Sequence, residues 1–387
     1  MVTLETAENA LKTLYLEVVS NQLNTTINPL LAKFKQSTSD VWGKEIRKLA
    51  PYGLNGGVGA GTETGDLPKA GENNYVQLQL TLKNLFGTIE ISDKAIRASQ
   101  NSAGAFVNLL NEEMEGLIKA AGFHFGRMLY GDGTGKIATV ISVASGECFL
   151  DSVKGLMEGM IVDFRTGTGV IPTAQGVRIR QVNRIDNSIL LSGTVSGITA
   201  NNSFVTLQNS YNNEITGLAK IFAANGSIYG LNKSEYDWLV PYRKTTATTI
   251  SDSAIQTAID TIDDKSGSTI DFIVCSAGVK RAYQEYLNTY KRNIDVMELN
   301  GGYKAMSYSG VPLISDRFCP AKTMYLLNTN EFTLHQLCDW AWLEGEDGKV
   351  IKQIPGKPLY SATLVKYADL ICNQISGQGV FTNVTES

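Results

Sequence analysis

Apolar residues recur at Leu4, Ala7, Leu11, Leu14 and Val18, three and four apart, which predicts one amphipathic helix near the N-terminus. Asn28-Pro29 interrupts the pattern. A short helix of this kind must lay its stripe on a surface, either its own core or a neighbouring chain. Residues 51–75, "PYGLNGGVGAGTETGDLPKAGENNY", differ in character: seven glycines and two prolines occur, with almost no bulky apolar residue after Leu54. Val76, Leu78, Leu80 and Leu82 then alternate with Gln77, Gln79 and Thr81, as in a strand with one buried face. The two stretches together predict a two-stranded excursion with a glycine-rich tip. Such a ribbon is barely stable alone and needs something to lie on.

Ser92-Asp93 predicts a capped helix start. A much longer helix is expected from about Ala103 to Tyr130, with Phe106, Leu110, Met114, Leu117, Ala121, Phe125 and Met128 on one face. At ~1.5 Å per residue it spans roughly 40 Å. Gly116, Gly122 and Gly126 each cost about 1 kcal/mol against alanine there, which points to close backbone approach or a bend. Residues 147–215 read as β throughout: "VRIRQVNRIDNSILLSG" places strands either side of a turn at Asp186-Asn187-Ser188, and "SFVTLQN" follows. Mixed patterns resume afterwards, so this stretch is an expected all-β insertion. From about 245 the pattern is α/β. Ser251 can cap a helix carrying Ile255, Ala258, Ile259 and Ile262, and "TIDFIVC" is a strand covered on both faces. Ser276 can cap a helix with Val279, Ala282, Tyr283 and Tyr286 on one side, while "VPLIS", "TMYLLN" and the long "LYSATLVKYADLICNQ" are further strands. The expected fold class is α+β.

A chain of 387 residues is too long for one small core, and two or three subdomains are expected. Apolar residues make up 43%, which supports burial rather than disorder. No apolar run reaches the ~18 residues of a membrane span, and the N-terminus lacks the features of a signal peptide. Lysine plus arginine number 34 against 38 acidic residues, a net charge of −4 that argues against dedicated nucleic-acid binding. The five cysteines, Cys148, Cys275, Cys319, Cys338 and Cys372, are scattered and form no CxxC pair. They read as reduced, mostly buried thiols made in a reducing cytoplasm.

The chemical motifs are negative. "LYGDGTGKIATV" (129–140) superficially offers a phosphate cradle. However, Tyr130 stands where the first glycine of a Walker loop belongs, Ile137 replaces the magnesium-ligating hydroxyl, and a helix precedes the turn. Punctuation after a helix is the better reading, with glycine just past the end in the left-handed conformation and Asp132 shaping the exit. The two histidines, His124 and His335, sit in apolar surroundings and read as packed residues. "DTIDDKSGS" (260–268) lacks the spacing of a calcium loop and reads as a solvated helix end. Glu112, Glu113 and Glu115 share one helix with at least two facing solvent, and Trp340 and Trp342 share a strand face suited to core packing or a subunit contact. No catalytic, cofactor-binding or metal-ligating residue is assigned, and no cofactor is expected. An enzyme is not indicated.

The order of elements carries more information: a terminal arm, a glycine-rich loop, a β return, a long helix ending "LYGDGTG", then an α/β body. In this order the chain resembles the HK97-type major capsid proteins of tailed bacteriophages, in the form found with Gram-positive hosts. "LNGGVGAGTETGDLPKAGENNY" looks like the family's extended loop (E-loop), "LKNLFGTIEISDKAI" like its junction to the spine helix, and "RMLYGDGTG" like the exit from that helix. "GLAKIF", "SIYGLNKSEYDWLVP" and "YSGVPLISDRFCPAKTMYLLNTNEFTLHQLCDWAWL" look like later body segments.

The resemblance implies an N-terminal arm over residues 1–50, an E-loop over 51–83, and a peripheral (P) domain over 84–146 with its spine helix at 103–130. It further implies an outward-facing insertion domain over 147–215, P domain again over 216–244, an axial (A) domain over 245–335, and a return to the P domain over 336–387. Inter-subunit contacts are expected from Leu54, Gly56, Gly57, Glu63, Asp66, Lys69 and Tyr75 of the E-loop and from Leu11, Leu14 and Val18 of the arm. The loop glycines would supply permissive dihedrals, letting one sequence follow different paths in hexamers and pentamers. The implied function is self-assembly into an icosahedral head that encloses double-stranded DNA without reading its sequence. The implied partners are sister copies, a separate scaffold protein and a portal, with no membrane. The implied location is the virion capsid, assembled in the bacterial cytoplasm. Lys69 is the one loop lysine, but no partner asparagine or catalytic glutamate is placed by motif, so no covalent cross-link is expected. Two other readings stand beside this one: an encapsulin-like compartment, and a multidomain surface or carbohydrate-binding protein suggested by the Asn-rich β stretch.

Overall fold

Three groups of apolar strands form three separate cores in the computed structural model, which describes residues 28–39, 41, 45–94, 103–144, 146–193, 195–290, 296–299, 303–345 and 348–387. The expected N-terminal helix, with Leu11, Leu14 and Val18, lies outside the described residues. So does most of the helix expected after Ser92, of which only Asp93–Lys94 is seen. Among the described residues, no helix is long and apolar enough to cross a membrane.

The body is built on the strand Leu359–Cys372, which pairs antiparallel with Phe332–Trp342 and with Lys83–Ser92. Lys35–Ser37 adds to Phe332–Trp342 in parallel. The long helix, Ala103–Leu129, belongs to the same core and buries the expected Met114, Ala121, Phe125 and Met128, but Ile118 is buried in place of Leu117, which is only half-buried. Its glycines do different jobs. A Cβ on Gly126 would lie 2.6 Å from both the Phe318 ring and the Asn28 amide nitrogen, so close approach requires glycine there. Around Gly116 there is nothing within 4 Å.

The second core belongs to a seven-stranded sheet that closes on itself. Phe204–Leu207 pairs with both Lys136–Ala144 and Ile161–Thr166, and the ring is completed through Glu147–Leu150, Ser188–Leu191 and Val177–Asn183. Closure leaves no free edge within the ring, as a small barrel set into another domain needs. The first strand precedes the expected boundary at 147. Lys136–Ala144 forms a hairpin with Glu147–Leu150, and its Ala138 and Val140 are part of the barrel core, so the β unit begins at Lys136. The turn at 186–188 is where the sequence puts it, with Asn187 at φ 52°.

The third core is the α/β unit. Its sheet runs, in spatial order, Tyr242–Lys244, Gly379–Phe381, Met324–Leu327, Phe272–Cys275, Val311–Ser315, Tyr303–Tyr308, Val296–Leu299. Phe272–Cys275 is buried along its whole length. The helix Asp252–Ser266 starts where Ser251 Oγ accepts the Ala254 N–H (3.2 Å) and stops at left-handed Gly267. Ser276 Oγ accepts the Val279 N–H (3.4 Å) at the start of Ala277–Tyr290. Tyr242–Lys244 and Gly379–Phe381 both fall outside the expected 245–335. The last strand joins this sheet opposite Met324–Leu327, with Phe381 in the α/β core and Val380 in the body core.

The long helix ends at Leu129, and the left-handed residues are Gly133 (φ 81°) and Gly135 (φ 77°) rather than Gly131. Asp132 Oδ1 accepts the Thr134 N–H (2.9 Å), and a Cβ on Gly135 would press on the Ser210 carbonyl at 2.6 Å. The glycines let the entry and exit of the barrel run side by side.

Candidate functional site

The glycine-rich excursion is a ribbon whose two strands, Glu45–Tyr52 and Asn74–Thr81, pair antiparallel without a break from Glu45↔Thr81 to Tyr52↔Asn74. Its root is bolted to the body. Ile46, Leu78 and Leu80 enter the body core, as the alternation at 76–82 predicts. Tyr52 stacks on Trp238 (centroids 6.0 Å apart, planes at 17°) and meets Tyr236 edge-on. The Gln79 N–H donates to the Tyr229 carbonyl (2.9 Å).

Tyr229 holds this root by an unusual backbone. It sits at φ 50°, next to Gly230 at φ 81°, in the tight turn between Ser227–Ile228 and Leu231–Asn232. A left-handed tyrosine is a local cost that only surrounding contacts can sustain. Those contacts are present: its hydroxyl donates to the Leu370 carbonyl (3.1 Å) and accepts the Cys372 N–H (2.9 Å) inside the long strand of the body.

Beyond the root the ribbon leaves its own chain. Residues 53–73 are all exposed except Gly57 and Gly71, which half-bury each other. Leu54 is 92% exposed, Val58 90% and Leu67 89%, while Tyr75 is 54% exposed. Glu63, Asp66 and Lys69 are exposed, and none forms an ion pair among the described residues. The structure therefore places Leu54, Gly56, Gly57, Glu63, Asp66 and Lys69 on one tip and Tyr75 on the strand behind it, and does not bring the three charges together. The glycine reading changes too. Of the seven glycines only Gly53 has a positive φ, 71°. A Cβ on Gly57 would lie 2.8 Å from the Gly71 nitrogen, and one on Gly71 would land on the Gly57 backbone. The glycines let the two sides of the tip touch; they do not chiefly supply rare dihedrals. Asn55 fixes the contact, accepting the Gly57 N–H (2.9 Å) and donating to Asn73 Oδ1 (3.0 Å).

Sequence reasoning missed Val58 and Leu67 as members of the exposed set. Their signal was present: each is a lone apolar residue among glycines and polar side chains. It also missed the Tyr229 bolt, which no local pattern marks.

Elsewhere the charged groups hold structure. Arg127, near the end of the long helix, grips Glu214 with both guanidinium nitrogens, one contact being 3.0 Å, and Glu214 is 2% exposed. This pins the strand-to-body return to the helix. Asp369 accepts the Thr216 N–H (2.6 Å) and the Leu370 N–H (2.8 Å). Full burial nevertheless raises its carboxyl to about 7. Lys233 donates to the carbonyls of Ile221 (2.6 Å) and Ala223 (2.7 Å), closing the short helix Leu218–Ile221. Burial, then the Arg243 charge, lowers it to about 8. Burial and Arg127 hold His124 down at about 3, so it is a neutral packed residue at ordinary pH. Trp340 and Trp342 lie in the body core. Among the described residues no cluster of metal-ligating side chains occurs.

No protein-family model matches the sequence, and no curated protein matches it. Solved structures do. A chain of the cyanophage A-1(L) capsid asymmetric unit superposes with a TM-score of 0.57 over 93% of both chains at 14% identity. The chain has the HK97-type capsid fold. A chain of the holo-SrpI encapsulin complex from Synechococcus elongatus PCC 7942 aligns at a TM-score of 0.49, 11% identity, over 93% of this chain and 89% of that one. Mycobacterium phage Adephagia gives 0.49 at 9% identity over 94% and 92%. The fold assignment rests on the first of these.

Proposed function

We propose that this chain is the major capsid protein of a tailed bacteriophage, building an icosahedral shell of hexamers and pentamers around double-stranded DNA. The observation that carries the reading is the E-loop tip, residues 53–73. It stands clear of its own chain with Leu54, Val58 and Leu67 in water, on a fold of capsid type. Each such side chain contributes about 1.5–3 kcal/mol when a neighbour takes it fully out of water. Glu63, Asp66 and Lys69 would add register at about 0–1 kcal/mol per exposed pair. The N-terminal arm, a scaffold protein and a portal complete the proposed assembly, in the host cytoplasm. The barrel from Lys136 onward faces outward, and the net charge of −4 limits adhesion to packaged DNA.

The test is a triple variant, Leu54→Asp, Val58→Asp and Leu67→Asp, produced beside the wild type with the scaffold supplied. Wild type is expected to give closed shells by sedimentation and negative-stain microscopy, and the variant folded subunits without shells. Variant shells of normal yield and size would refute the reading. With the portal and a DNA-packaging motor supplied as well, nuclease-resistant DNA inside wild-type shells separates a phage head from a cargo compartment.

A further inference from the structure

A cleft of about 770 Å³ lies where the long helix, the barrel and the end of the α/β strand Val311–Ser315 meet. The walls are tied together. Lys154 of the barrel donates to the Cys319 carbonyl (3.0 Å), and the 157–160 loop is held by Gly159 N–H to Ile179 carbonyl (2.9 Å) and Ile179 N–H to Met160 carbonyl (2.8 Å). Phe123, Met157 and Met160 give the cleft an apolar floor, and Met157 is 41% exposed. Lys119 and Arg317 stand on its lining, both solvent-facing, with the Arg317 guanidinium over the Phe123 ring at 5.0 Å.

We propose that this cleft seats the chain's own N-terminal segment, residues 1–27. Four observations converge. Pro29 lines the cleft, so the chain enters the described structure at its edge. His124 Nδ1, in the lining, is buried and has no hydrogen-bond partner among the described residues. An orphaned ring nitrogen of this kind suits a peptide backbone, which brings both a donor and an acceptor. The volume also fits: two helical turns about 10–12 Å across fill roughly 1,000 Å³, so the cleft takes one face of a helix and leaves the other wet. Residues 1–27 offer one such face, Leu4, Ala7, Leu11, Leu14 and Val18. At about 100° per residue, Glu8 and Glu17 fall on opposite borders of that stripe, where Lys119 and Arg317 can meet them.

The proposal concerns the free subunit and does not rest on the shell reading. Its test is a labelling rate in dilute, unassembled protein carrying Cys338→Ser. Met157→Cys is expected to react with iodoacetamide about tenfold more slowly in the full chain than in one lacking residues 2–27, the ratio expected of a docked segment that opens locally. Ile185→Cys, at a barrel tip 92% exposed, is expected to react equally in both. If the truncated chain does not fold, Leu11→Asp with Leu14→Asp in the full chain is expected to restore the fast rate at Met157→Cys. Equal rates at Met157→Cys with and without the segment or its stripe would overturn the proposal. Protection that appears only on raising protein concentration would also overturn it, by showing that another copy supplies the cover.

Discussion

Two glycines of the long helix receive the same substitution and are expected to respond with opposite sign. Replacing either by alanine removes backbone freedom from the unfolded chain and gains about 1 kcal/mol of helix propensity. At Gly116 nothing lies within 4 Å of the new methyl, so the gain stands alone. At Gly126 the methyl meets the Phe318 ring and the Asn28 amide at 2.6 Å each. The Phe318 ring has little room to move, since Phe123 packs edge-on to it at 5.2 Å and Arg317 lies over it at 4.6 Å. Overpacking of this kind costs about 1–3 kcal/mol. Gly116→Ala should therefore be stabilised by about 1 kcal/mol. Gly126→Ala should fall below it by roughly 1–3 kcal/mol. Urea unfolding of unassembled subunits reads the difference, because Trp238, Trp340 and Trp342 lie in or against the body core and report it by fluorescence. Equal midpoints for the two variants, or a more stable Gly126→Ala, would refute the packing argument.

Removing one half of the buried Arg127–Glu214 pair by Glu214→Ala is expected to cost about 3–5 kcal/mol in the same assay, with a smaller loss in Arg127→Met/Glu214→Leu. A pH series should show the buried Asp369. Its carboxyl is raised to about 7, so the native state holds a proton that the unfolded chain has released. Stability is then lost as pH rises from about 4 to about 7 and levels above it. Asp316 is raised in the same direction, so the difference between wild type and Asp369→Asn isolates the effect; a pH-independent difference would count against it. Burial lifts the thiols of Cys148 to about 11 and Cys275 to about 12, and also raises Cys319 and Cys372, leaving half-buried Cys338 as the reactive one. Native subunits should therefore titrate one thiol of five with a thiol reagent, and all five in denaturant.

Periodicity made the elements legible and left their partners hidden. The long helix, the ribbon and the strand Phe272–Cys275 each carry a local signature, and each is present. Lys136–Ala144 has a strand pattern that says nothing about which sheet receives it, and it joins the barrel through contacts with Glu147–Leu150 and Phe204–Leu207. Gly379–Phe381 is more than a hundred residues from its neighbour Tyr242–Lys244, a pairing that only tertiary packing decides. At the ribbon tip, composition marked the loop correctly, but the use of its glycines depended on Gly57 meeting Gly71 across the turn. Tyr229 had no readable mark, because a left-handed tyrosine is tolerated only through bonds to Leu370 and Cys372 far along the chain.

The contact between Gly57 and Gly71 bears on how cheaply the loop can be captured. A slack segment loses about 1–2 kcal/mol of backbone freedom for every residue it fixes, a toll that would erase the gain from a few leucines. A tip braced across its own width has met part of that toll during folding, so modest contacts suffice to hold it. In the proposed shell, attachments that are individually feeble yet geometrically definite could be undone and remade, so that a growing lattice would correct a misplaced member before it closes.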